Sequence, residues 1–101
     1  MTKDNNLMTA LLLILMEREL ILTEGDIMLV QPHVEGMTVE NPVVVPGYDH
    51  EQIDYHLRRL CQAGFVDNGG VASPLIGIFF SRITPAGHSW LNANRQRGGR
   101  L

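Results

Sequence analysis

Residues 48–66 read YDHEQIDYHLRRLCQAGFV and decide the fold, because the stretch carries its own start and stop signals. Asp49 is an oxygen-bearing cap, and Gln52 stands where a capping box needs an amide or carboxylate. Tyr48 and Ile53 occupy the two positions of a hydrophobic staple. At the other end Gly64 suits the left-handed residue that stops a helix, and Phe65 suits the apolar contact back to Leu60. The spacing predicts a helix over 49–63. At 3.6 residues per turn Ile53, His56, Leu57, Leu60, Cys61 and Gly64 face inward, while Gln52, Tyr55, Arg58, Arg59 and Gln62 face outward.

Downstream, Phe65 and Val66 begin a strand, Asn68-Gly69-Gly70 signals a turn, and 77–83 is a returning strand rich in Ile and Phe, together a hairpin. Thr84 followed by Pro85 opens a second helix, which carries Trp90 and Leu91 toward the core. Beyond Asn94 little remains to bury, so 95–101 is expected to be a flexible basic tail on a single domain spanning 1–94.

Upstream, 4–19 reads as a helix capped by Asp4 or Asn5. Its apolar run over 10–16 covers the whole circumference of a helix. One face therefore meets the core, and the other meets either a partner subunit or a wrapped-over loop. Leu11, Leu12 and Leu15, joined by Leu75 and Ile76 of the hairpin tip, are the candidate partner or homodimer interface. Gly25, Pro32, Gly36, Pro42, Pro46 and Gly47 leave no room for an ordinary helix over 20–47. Short strands at 27–30 and 43–45 fit better, with 37–40 a weaker third.

At 101 residues, 45% apolar and 19% charged, the chain has one globular core and not the composition of a disordered segment. The lone Cys61 cannot form an internal disulfide, so a cytoplasmic setting is expected. The run over 10–16 is too short for a bilayer and is followed by Glu17, Arg18 and Glu19, so no membrane role is expected. The net charge of −3 hides a gradient. Residues 1–67 carry all eleven acids against Lys3, Arg18, Arg58 and Arg59, a balance of −7, and 68–101 carry four arginines and no acid, +4.

The order of elements resembles a winged helix-turn-helix domain. Residues 52–66 look like a recognition helix entering the first wing strand, and 83–91, with its Thr84-Pro85-x-Gly87 pattern, look like the second wing strand entering the last helix. More narrowly, Gly47, Tyr48, Glu51, Ile53, Tyr55, His56 and Leu57 match a G-Y-x-x-E-x-I-x-Y-H-L signature. The chain is similar over most of its length to a family of uncharacterised bacterial and phage winged-helix-like proteins that share this signature. The resemblance implies an α+β fold of about three helices with a small antiparallel sheet, made of the wing hairpin plus a strand from 26–46.

A winged helix that reads DNA presents the outer face of that helix to the major groove and basic neighbours to phosphates. Gln52, Tyr55, Arg58, Arg59, Arg82, Arg95 and Arg97 are the candidate DNA-binding residues. Asp49, Glu51 and Asp54 oppose them, since each would face phosphate charge, and the tip over 68–76 has no Lys or Arg. A protein-interaction or dimerisation module is the competing reading. His56 and Cys61, five apart, do not share a metal-ligand face, and His56 reads as a hydrogen-bonded residue at the core margin. No phosphate loop, nucleophile elbow or zinc-protease motif is present, so no cofactor, no metal and no enzymatic activity are expected.

Overall fold

The computed structural model describes residues 3–33, 42–70 and 76–98, the side chains of 96–98 excepted. The fold is α+β: helix α1 (Asn5–Glu19), strand β1 (Met28–Pro32), helix α2 (His50–Gln62), strands β2 (Val66–Asp67), β3 (Gly77–Phe80) and β4 (Arg82–Ile83), and helix α3 (Pro85–Gly98). Three helices with two small antiparallel ladders are consistent with a winged-helix-like domain. The expected strand at 43–45 is irregular chain, although Val43 and Val45 are buried. The strand expected at 37–40 and the hairpin tip over 71–75, Leu75 included, lie outside the described residues.

The local signals of α2 hold at both ends. Asp49 accepts the N–H of Gln52 at 2.8 Å, and the Gln52 side chain accepts the N–H of Asp49 at 2.9 Å. Gly64 has φ +78°, and the N–H groups of Gly64 and Phe65 return to the carbonyls of Cys61 and Leu60. This paired stop satisfies two carbonyls that the helix end would otherwise leave bare.

α1 departs from expectation. It is apolar all round because it is the centre of the fold, packing against α2, α3 and β4. Leu7, Leu11, Leu12 and Leu15 are each at most 1% exposed within this single chain. Leu11, Leu12 and Leu15 are therefore core residues and not a partner surface, and the domain's own elements supply the second cover that the apolar circumference demanded. Asp4 is the cap, accepting the Leu7 N–H at 3.1 Å, and it takes the Tyr48 hydroxyl at 2.9 Å on its other oxygen.

The hairpin is also more divided than expected. Its returning strand breaks at Ser81, and the two halves take different partners. β4 pairs with β2, Val66 opposite Ile83, while β3 pairs with β1, Met28 opposite Phe80 and Pro32 opposite Gly77. The register shifts between Leu29 and Gln31, so the consecutive residues Val30 and Gln31 are both buried where an unbroken strand would alternate. A Cβ on Gly77 would strike the Gln31 carbonyl, so the close crossing of β1 and β3 needs glycine there.

α3 starts as expected, with Thr84 Oγ1 accepting the Gly87 N–H at 3.1 Å. It does not stop at Asn94 but continues to Gly98, because 94–97 contain no helix breaker. The boundary of a basic tail at 95 thus falls inside a helix.

Candidate functional site

The outer face of α2 gathers four of the candidate residues. Gln52 is committed to the capping box. Tyr55 lies edge-on to the His56 ring at 5.1 Å between centroids, and the Arg59 guanidinium sits over the Tyr55 ring at 5.8 Å. That contact, one helical turn apart, holds a long cationic side chain against a flat aromatic one. Arg58, its side chain 57% exposed, pairs with Asp54 at 2.9 Å one turn earlier.

Asp54 has a second partner that the local sequence could not reveal. His33, just beyond β1, places Nε2 2.6 Å from Asp54 Oδ1. Asp54 is thus bracketed by Arg58 and His33. A groove of about 450 Å³ runs over this cluster, with His50, Glu51 and Tyr55 on its walls.

Arg59 borders a second groove of about 300 Å³, walled also by Lys3, Met8, Gln62, Phe65 and Trp90. It brings together the start of α1, the last turn of α2 and the side of α3. Trp90 packs against the core as expected but is only half-buried, its ring 5.7 Å from that of Phe65 at an interplanar angle of 30°. Lys3 was not among the candidate residues. Its position just before the Asp4 cap was the available signal, since it ties Lys3 to the helix start.

The remaining candidates do not converge on α2. Arg82 pairs with Asp67 at 3.4 Å across the β2–β4 ladder and borders a different groove, beside Glu19, Glu24 and Asp67. Arg95 is exposed on α3, and the Arg97 side chain lies outside the described residues. Ile76, expected in a partner surface, is 39% exposed just before β3.

Two perturbed groups mark how the helices are fixed. The N–H of Leu7 and then the hydroxyl of Tyr48 hold the Asp4 carboxyl below its usual range. Burial, aided by the Asp67 charge, pushes the Cys61 thiol up, which leaves it a poor nucleophile. Among the described residues no group of three His, Cys, Asp or Glu side chains is placed to hold a metal ion. No helix there is long and apolar enough to cross a membrane.

A family model described as Hypothetical protein (DUF2513) matches residues 4–98 of the chain. No curated protein and no solved structure matches it.

Proposed function

The chain belongs to the family described as Hypothetical protein (DUF2513), and from that premise we propose that it is a non-enzymatic, cofactor-free DNA-binding protein of the cytoplasm that engages duplex through the C-terminal half of α2. The observation that carries this reading is the exposed Arg59 stacked on Tyr55 with Arg58 alongside, on a helix capped at both ends. Arginines held in place by neighbours lose less side-chain freedom on meeting phosphate than free ones do. The bacterial and phage winged-helix proteins that the chain resembles lend the same reading their shape.

Charge sets the expected strength. Asp49 and Glu51 at the start of α2 repel phosphate, and Arg58 is partly spent on Asp54, so contact centres on Arg59, Lys3 and the outer edge of Arg58. Neutralising about three phosphates gives a salt slope near −2.7, so affinity falls roughly 40-fold between about 50 and 200 mM salt. Fluorescence anisotropy on a mixed-sequence duplex at those two salt concentrations tests this. The double variant Arg58→Ala, Arg59→Ala should lose most of the low-salt binding, and absence of any low-salt binding by the native chain would overturn the reading.

A protein-interaction role has one observation in its favour. Leu20 and Ile21, directly after α1, are 82% and 72% exposed. Adjacent large apolar side chains left in water suit a protein contact better than phosphate. If this pair is the working surface, Leu20→Ser, Ile21→Ser abolishes capture of the partner while leaving duplex binding unchanged.

A further inference from the structure

We propose that the groove between Lys3, the last turn of α2 and Trp90 is a binding site for a small ligand that combines a planar aromatic ring with an anionic group. Trp90 and Phe65 take the ring, and Lys3 and Arg59 take the charge. The site shares Lys3 and Arg59 with the DNA-binding surface proposed above, but its aromatic floor does not depend on that reading.

The floor is a preformed aromatic surface. Trp90, the chain's single tryptophan, is only half-buried, and its ring and that of Phe65 are inclined by 30° with centroids 5.7 Å apart. Met8 closes the inner end as a soft apolar contact. A flat ring laid on such a floor buries apolar area without displacing a residue from the core. The volume of about 300 Å³ accommodates one or two rings with an acidic substituent.

The walls supply the charge. Lys3 and Arg59 come from different parts of the chain, and among the described residues no carboxylate lines the groove. Asp4, next to Lys3, directs one oxygen at the Leu7 N–H and the other at the Tyr48 hydroxyl. Arg59 is already oriented by Tyr55, so little freedom remains to be lost when it meets an anion. The negative end of α2 is the feature that opposes an anion here. It is weakened because Gly64 and Phe65 donate to the carbonyls of Cys61 and Leu60, and because Arg59 stands in that same turn.

A ring with an anionic group could be a free small molecule or the 5′-phosphorylated end of a single strand, and the test separates them. Trp90 reports directly: its emission, excited near 295 nm, is followed during titration with phenyl phosphate, inorganic phosphate, phenol and a 5′-phosphorylated oligothymidylate. Saturable change is expected with phenyl phosphate at concentrations at least tenfold below those needed for inorganic phosphate or phenol. Tighter binding by the oligonucleotide than by phenyl phosphate assigns a strand end, and the reverse assigns a free ligand. Lys3→Gln, outside every helix and exposed, should weaken binding at least fivefold with an unchanged circular dichroism spectrum, and Arg59→Gln should do the same. An equal response to phenol, no saturation with either anionic ring, or no effect of Lys3→Gln would overturn the proposal. Because inorganic phosphate and duplex DNA do not require an aromatic floor, loss of duplex binding with phenyl phosphate binding intact would sink only the DNA reading.

Discussion

The Nε2 atom of His56 accepts the backbone N–H of Asp4 at 2.9 Å, joining residues 52 apart in the chain. Its Nδ1 lies 2.6 Å from the carbonyl oxygen of Gln52. An amide N–H can only donate and a carbonyl can only accept, so these two contacts are those of the tautomer with its proton on Nδ1. Tyr48 reaches the same place from the other side, donating its hydroxyl to Asp4 Oδ2. Two signature residues, Tyr48 and His56, thus fasten the start of α1 to α2. Their role in that motif is structural, which leaves Tyr55, between them in sequence, as the signature aromatic that shares the outer face with Arg58 and Arg59.

His56→Ala should destabilise the fold by about 2–4 kcal/mol. The ring is 1% exposed, so its loss leaves a cavity and strips a partner from the Asp4 N–H, and the two costs add. Urea unfolding with an unchanged slope and a lower midpoint would bear this out. A change below about 0.5 kcal/mol would show that the clasp carries no weight.

Acid should loosen the same corner. The folded-state carboxyl of Asp4 lies below its ordinary value, so it contributes stability that is present above the unfolded value of about 3.9 and is lost as pH falls through the folded one. Tyr48→Phe removes the hydroxyl that is the second largest cause of that lowering. The gap in stability between native chain and Tyr48→Phe should therefore be widest above about pH 5 and close toward pH 2. Comparing the two cancels whatever His56 contributes, and a gap that stays constant across that range would exclude the coupling.

Leu12→Ala and Leu20→Ser should behave oppositely although the two leucines lie eight residues apart. Leu12 is wholly buried and its truncation should cost about 2–5 kcal/mol, whereas Leu20, 82% exposed, should change stability by less than about 0.5 kcal/mol. Thermal unfolding of both variants distinguishes a core-facing α1 from one whose leucines wait for a partner, since in the latter case Leu12→Ala would lower the sedimentation coefficient more than the stability.

The contrast between α1 and α2 explains what could be read in advance. α2 was legible to the residue because Asp49, Gln52, Gly64 and Phe65 act on backbone within a few positions of themselves. α1 was legible as a helix but not in its surroundings, since an all-round apolar surface says that every face is covered without saying by what. The split at Ser81 and the docking of β1 on β3 depend on the approach of Gly77 to Gln31, 46 positions apart, and no local pattern encodes that pairing. The site divides in the same way. Tyr55, Arg58 and Arg59 share a face by helical spacing, while His33 beside Asp54 and Lys3 opposite Trp90 are tertiary facts.

Cys61 should be slow to modify. Burial and, secondarily, Asp67 disfavour its thiolate, and the thiolate is the reactive form. At pH 8 an aromatic disulfide reagent should react at least tenfold faster in urea than with the folded chain. Equal rates would show that α2 opens readily or that the thiol is more exposed than its packing indicates.

Gly87→Ala puts two effects of opposite sign in competition. In an open helix the change would stabilise by about 1 kcal/mol, because alanine restricts the unfolded chain and favours helical backbone. Gly87 is instead buried under the turn that ends α2, and a Cβ there would strike the carbonyl of Phe65 and reach within 2.8 Å of Ile83. That carbonyl cannot move aside alone: it accepts the Thr84 N–H at 3.0 Å, while Thr84 Oγ1 donates to the Gly64 carbonyl at 2.6 Å and caps α3 through the Gly87 N–H. Relieving the clash therefore separates α3 from the end of α2, a cost of about 1–3 kcal/mol for overpacking plus part of the cap. The steric term is the larger, so the net effect should be destabilising by about 0.5–3 kcal/mol, and a raised melting temperature for Gly87→Ala would show that the Thr84-Pro85-x-Gly87 corner is not packed as described.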